Sequence, residues 1–294
     1  MQFILTTDTS CDSFKTDLDK AGVPWIPLTF TIDGNTNDDN FSSDGEYQAF
    51  YDKIAVGAKP TTSQINTFAH EEFFTKVLEG NKIKNIVHLV LSGGLSDTIN
   101  SAKLAAENTM KKIIGCKVII VDTISATRGH QILVDKGIEL RDKDVSANDA
   151  AASLEQVKQS IMHLFMVDDL HHLKRGGRVS GASAFFGTLL KIKPCLTINH
   201  EGKLAVIKKA KGAKGAMNFF VDMIKEHMPD KENGTFYLVN ANAHKYVDEF
   251  SDRLKTEFPN CKQVKGWIGP VIGAHTGSGT FGLAFVGKTR LTNK

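Results

Sequence analysis

Short β-branched and aliphatic runs alternate along the chain with longer segments in which apolar and polar positions mix at helical spacing. The run QFILTT (2–7) opens as a strand, after which Asp12 is expected to cap a helix ending near Gly22. VPWIPLTFTI (23–32) follows as a second strand, leading into a polar loop, DGNTNDDNFSSDG (33–45). Helical patterns start at about Glu46 and again at about Ile65. IVHLVLS (86–92) and KVIIVDT (117–123), with a helix from Ser96 to about Ile113 between them, are apolar throughout, as strands buried on both faces of a parallel sheet are. The alternation of strand and helix predicts an α/β domain whose ligand-binding loops lie at the strand carboxyl ends.

The second half has a different rhythm. After a helix over roughly 146–162 comes LFMVDDL (164–170), and PCLTINHEGKLAVIKKAK (194–211) reads as a hairpin turning at His200, Glu201 and Gly202. Helical patterns near 213–228 and 244–257 flank the strand TFYLVNAN (235–242), and GTFGLAFVG (279–287) is one more strand. A hairpin among helices implies a mixed sheet. The fold class expected is two-domain α/β, with a parallel-sheet domain over residues 1–160 and a mixed-sheet domain over 161–294.

Composition narrows the function classes. With 294 residues the chain can bury substantial cores, and a net charge of +3 with no basic tail makes no case for nucleic acid. Cys11, Cys116, Cys195 and Cys261 are too scattered for a zinc ribbon or disulfide framework, so reduced thiols and no metal are expected. The start, MQFILTTDTS, lacks the basic segment and long apolar run of a signal peptide. No apolar stretch approaches the eighteen or so residues of a membrane span, and a cytoplasmic protein is the expectation.

Candidate chemistry sits in four segments. GAHTGSGTFGLAF (273–285) contains a G-x-G-x-x-G, but only twelve residues follow Gly282 and none is acidic, so a dinucleotide turn is excluded. LSGGLSDTINSA (91–102) joins a buried strand to a helix start, either as an anion site of free amides and hydroxyls or as a tight turn with Ser96 as N-cap. Thr61, Thr62 and Ser63 precede a helical run and serve either a site or a cap. DDLHHLKRGGRVSG (168–181) gathers Lys174, Arg175 and Arg178, and the adjacent His171 and His172 could not jointly ligate one metal from a helix. His275, set among glycines, can approach a ligand closely. There is no G-x-S-x-G elbow in strand–turn–helix context and no phosphate loop, which disfavours a self-sufficient hydrolase or nucleotide kinase.

Taken in order, TTDTSCD, PTTSQI, LSGGLSDTINSA, VDTISATRGH, LKRGGRVSG, LLKIKPCLTI and GAHTGSGTFGLAF resemble the ordered segments of the DegV family of fatty-acid-binding proteins. The resemblance spans nearly the whole chain. It implies a two-domain protein that holds a long-chain fatty acid at the domain junction, needs no cofactor, and presents the carboxylate to a partner kinase for acyl-phosphate formation. Carried onto this chain, it assigns the carboxylate to Thr62 or Ser63, Ser92 with Gly93 of the neighbouring turn, and His275, and it turns Arg175 and Arg178 toward the partner. The family's second turn serine is Gly93 here, the glycine of its S-G-T is Asp97, and Thr123 and Thr127 stand where serines are usual. A stand-alone hydrolase or transferase acting on a small anion with the same hydroxyls and imidazole is the competing reading.

Elementary energetics fit the lipid reading. Burying a sixteen-carbon tail contributes up to roughly 12 kcal/mol at about 0.8 kcal/mol per methylene, and an unpaired carboxylate would cancel much of it. The apolar segments ASAFFGTLLKI (182–192) and MNFFVDMI (217–224) are expected to enclose the tail, and the glycines of 273–282 to bring His275 and the backbone close to its head group.

Overall fold

The computed structural model describes residues 1–168, 170–179 and 192–292. Strand β1 (Ile4–Asp8) runs through a 3-10 turn at Thr9–Cys11 to α1 (Lys15–Lys20) and β2 (Trp25–Ile26). There the expected second strand divides. Pro27 has no amide to extend the ladder, and the chain leaves to form β3 (Thr29–Ile32), which pairs antiparallel with β4 (Asn35–Asp38) and β5 (Thr61–Ser63). The polar stretch read as a loop thus contains a strand, fully exposed and invisible to hydrophobic patterning. Helices α2 (Asp44–Ala55) and α3 (Thr67–Glu79) start close to their predicted positions. The cap of α3 is Asn66, which accepts from the Ala69 amide at 2.9 Å, and Thr61–Ser63 belong to β5 instead.

The chain returns to the first sheet with β6 (Asn85–Val90), α4 (Thr98–Lys112) and β7 (Lys117–Asp122), followed by α5 (Thr127–Asp142) and α6 (Ala147–Val157). The four strands lie in the order β2-β1-β6-β7, all parallel. Alternate residues of the runs read as doubly buried do face opposite helical layers. Leu5, Val87, Leu89 and Val121 pack with Leu18, Leu133 and Leu154, whereas Ile4, Ile86 and Val118 pack with Phe74, Leu78 and Ala105. The sequence pattern places no helix here, yet α5 spans this stretch: Gly129 and Gly137 weaken its helical signal, and close packing on His163 and Leu5 requires them. Asp12 does not cap α1; buried and left-handed, it closes the 3-10 turn at its carboxyl end, and α1 starts from Phe14.

The second sheet comprises β8 (Ile161–Met166), then, after α7 (Leu170–Arg175), β9 (Ile192–Ile198), β10 (Leu204–Lys211), and, after α8 (Gly212–His227), β11 (Thr235–Asn240). Helix α9 (His244–Glu257), β12 (Lys262–Trp267), α10 (Pro270–Thr276) and β13 (Phe281–Val286) complete it. The order is β10-β9-β8-β13-β11-β12, antiparallel except for β11 beside β12, a mixed sheet as expected. One face packs Leu164, Met166, Leu238 and Phe285 against Phe220, Ile224, Phe250 and Leu254 of α8 and α9. MNFFVDMI therefore belongs to this outer core and does not enclose the tail as expected, and residues 182–191 of the other apolar segment lie outside the described residues. The opposite face, with Phe165, Ile198, Leu204 and Val239, turns toward the first domain.

Two contacts among those that join the domains lie on either side of the cavity loops. The tip of the β9–β10 hairpin turns at Gly202 (φ 76°), where the Ser92 hydroxyl donates to the Gly202 carbonyl at 2.7 Å. A side chain at Gly94 would place its Cβ 2.5 Å from the Gly202 carbonyl, so only glycine admits this approach. Beyond β13, buried Arg290 donates to the carbonyls of Ile124 and Lys158 and to the Ser125 hydroxyl at 2.7–2.8 Å.

Candidate functional site

A cavity of about 540 Å³ lies between the domains, within the range typical of small-molecule sites. Its floor is the inward face of the mixed sheet, with Phe165, Ile198, Leu204 and Val239, and its roof comprises the loops after β6 and β7 together with α10. Its walls are mostly apolar, with a polar cluster formed by Thr62, Ser63, Ser96, Asp97, Arg178 and His275.

His275 reaches that cluster because α10 is clamped from outside. Tyr51 donates to the Ile268 carbonyl at 2.7 Å, and the Trp267 indole donates to Asp44 at 2.7 Å while stacking on Tyr47 at 5.5 Å. His172 donates to the Ala274 carbonyl at 2.8 Å and accepts from Arg175 at 3.1 Å, so one of the paired histidines is a strut for α10. Strand β5 then brings Thr62 to the far side of the His275 ring, with Thr62 Oγ1 2.8 Å from Nε2. The other ring nitrogen, Nδ1, lies 3.1 Å from the Gly176 carbonyl, which can only accept; Nδ1 carries the proton and the Thr62 hydroxyl donates to Nε2. Burial first, then the charge of Arg178, pushes the His275 pKa down to about 4 against the pull of the Gly176 carbonyl, so the ring is neutral at pH 7.

Sequence reasoning set Thr62 and His275 at one point, and the fold joins them across more than two hundred residues. Ser63 and Gly93 also line the cavity. Ser92 is different: it is fully buried, donates to Gly202 and accepts from the Gly94 amide at 3.2 Å, and so holds the turn from behind. The anion site of free amides expected in LSGGLSDT is also occupied. The Gly93 amide donates to Asp122 at 3.2–3.3 Å, and the Leu95 and Ser96 amides donate to the Ser92 carbonyl. Asp122 occupies the position a bound anion would take. The α4 N-cap is Asp97, not Ser96.

Arg175 and Arg178 are both exposed, but Arg178 also borders the cavity, tied to the Leu95 and Gly176 carbonyls at 3.3 and 2.8 Å. Nothing in the spacing of the basic segment marked that turn inward. The terminal glycines were expected to bring backbone to a ligand; instead Gly277 abuts His172, Gly279 abuts Asp168 and Gly282 abuts Phe165. Their role is close packing. Among the described residues no three or more His, Cys, Asp or Glu side chains are grouped to hold a metal, and no helix is long and apolar enough to cross a membrane.

The family model described as "Uncharacterised protein, DegV family" matches residues 2–288. The chain belongs to the DegV family. A DegV domain-containing protein of Clostridium perfringens is 31% identical, covering 98% of this chain and 99% of that one. A DegV family protein of Thermus thermophilus, solved under a description of its fatty acid binding, superposes with a TM-score of 0.87 at 29% identity over 98% of this chain and 100% of that one. A Streptococcus pneumoniae fatty acid kinase B3 protein, solved loaded with linoleic acid, shares the fold at a TM-score of 0.80 and 19% identity, over 97% of this chain and 99% of that one.

Proposed function

We propose that this DegV protein binds one long-chain fatty acid, its chain along the mixed sheet and its carboxylate at the Thr62–His275 cluster, and presents that carboxylate to a partner kinase. The observation that carries the reading is an apolar interdomain cavity with hydroxyls, a neutral imidazole and one guanidinium gathered in its wall. The fatty acid binding described for the Thermus thermophilus relative supports the ligand class. The partner kinase rests on the family resemblance of the loop segments.

Neutral His275 brings no charge to the head group, so the chemistry falls to its neighbours. The Thr62 hydroxyl transfers its hydrogen bond from Nε2 to the carboxylate, Ser63 adds a second donor, and Arg178 supplies the compensating charge. Ser92 and Gly93 shape the turn without giving the acid a hydrogen bond. A hydrolase would need free oxyanion donors beside the Thr62–His275 pair, and the amides of the adjacent turn are already donated.

Displacement of a fluorescent fatty acid tests the head site. Thr62→Val is expected to weaken binding by about 1–3 kcal/mol through one unmade hydrogen bond. Unchanged affinity in both Thr62→Val and His275→Ala places the head group elsewhere.

A further inference from the structure

The end of the cavity away from His275 is closed by a strained loop. His163 of β8 pairs with Ala284 of β13, and both line this end. Ala284 is four residues beyond Thr280, whose hydroxyl donates to the Thr276 carbonyl at 3.1 Å in the last turn of α10. At about 3.3 Å per residue, this end lies about 13 Å past that turn. Ala126 and Thr127, on the way from β7 into α5, close it beside His163, on whose ring Gly129 packs. Ile124 and Thr127 have φ of 43° and 52°. Side chains branched at Cβ rarely adopt that left-handed backbone, which costs free energy unless the surroundings impose it.

The bonds that impose it reach the loop from behind. The Ser92 amide donates to the Ser125 carbonyl at 3.0 Å, and the Thr123 hydroxyl donates to the Val90 carbonyl at 2.7 Å. Both come from the parallel-sheet domain itself. The Arg290 guanidinium comes from the segment after β13, and donates to the Ile124 carbonyl and the Ser125 hydroxyl at 2.7 Å each. That segment is tied to both domains: the Arg290 amide donates to the Gln159 carbonyl at 2.8 Å, and the His200 amide to the Leu291 carbonyl at 3.1 Å. Arg290 is 2% exposed, with neutral acceptors on all three side-chain nitrogens. Burying a guanidinium in this way is costly, and an apolar side chain could seal the joint at less cost. What the guanidinium alone supplies is direction: bonds that hold one loop conformation.

Resting on the fatty-acid reading above, we infer that Arg290 sets the longest acyl chain the cavity admits, by holding the strained loop Thr123–Thr127 in place as the end wall. Arg290, Ile124 and Ser125 lie behind that wall, outside the cavity lining, so Arg290 is a positioning residue that does not meet the ligand. With the clasp made, a chain that reaches Ala126 and Thr127 has to stop or bend. Without it, the loop relaxes from its left-handed turns and the wall recedes.

The test is chain-length selectivity of the whole protein, delipidated and then titrated with palmitate, stearate, arachidate and behenate against a fluorescent fatty acid. Wild type is expected to bind arachidate and behenate more weakly than palmitate. Arg290→Met, which keeps the bulk and removes the clasp, should raise the arachidate-to-palmitate affinity ratio about tenfold, the scale of one strained residue relaxing. Ser125→Ala removes one acceptor of the clasp and should move the ratio the same way by less. It decides the matter if the methionine variant fails to fold. A ratio unchanged from wild type in a folded variant, or a uniform loss of affinity at every chain length, overturns the assignment and leaves the fatty-acid reading standing. Wild type binding behenate as tightly as palmitate does the same. If no acid binds, the fatty-acid reading falls and the assignment with it.

Discussion

His275 owes its chemistry to where it is buried. With its pKa pushed down to about 4, the folded protein binds fewer protons than the unfolded chain between about pH 4 and the ordinary histidine value near 6.5. Stability therefore rises with pH across that window and is lost as pH falls through it. Buried His88 and His130, displaced the same way by burial, add to the effect. Urea unfolding at pH 7 and pH 5 is expected to show a loss for wild type and a smaller loss for His275→Gln; equal losses would mean the imidazole remains charged in the fold. Ser92 shows how far residue type alone can be read. Its position beside the site was legible from the strand–turn–helix pattern, but its hydroxyl is taken by the Gly202 carbonyl, 110 residues away in the other domain. No local spacing encodes that partner.

Helix α10 stands on a buried acid pair. Asp12 and Asp39 converge on Gly269, the residue that begins it. Burial first, with repulsion from Asp8 adding, raises Asp12 to about 8 against the Gly269 amide and Arg128, and burial with repulsion from Asp12 raises Asp39 well above its usual range against the Val271 amide. Here the sign is opposite to that of His275. Between about pH 4 and 8 the folded state holds the proton that the unfolded state has lost, so this pair costs stability as pH rises. Asp12→Asn is expected to raise the melting temperature at pH 8 relative to that at pH 5 when each is compared with wild type; the same difference between the two pH values in both proteins would exclude the pair as a contributor.

The hairpin tip is the second element under tight constraint. Gly94→Ala places a methyl against the Gly202 backbone and is expected to destabilise the fold by about 1–3 kcal/mol, read as a lower urea midpoint. Elements with a strong period, such as β6, β7, α8 and α9, were legible in the sequence. Strand β4 was not, because every one of its residues is exposed, and α5 was not, because Gly129 and Gly137 weaken its helical signal.

At the scale of the whole molecule, the Ser92–Gly202 contact and the Arg290 tether hold two α/β domains around one cavity. The proposed division near residue 160 separates the helix that packs on the parallel sheet from the first strand of the mixed one. The two-domain class followed from the change in strand–helix rhythm, whereas the inward turn of Arg178 came from tertiary packing. Arg178→Ala is expected to reduce acyl-phosphate formation with a cognate kinase more sharply than it reduces fatty acid affinity. Equal reductions would confine the arginine to the lipid site. The central claim is that the cavity carries a fatty acid. Native mass spectrometry of the purified protein, followed by organic extraction and reloading, tests it most directly. The predicted result is the added mass of one long-chain fatty acid, released on extraction and restored by oleate or palmitate; a ligand-free mass with no uptake of either acid would contradict it.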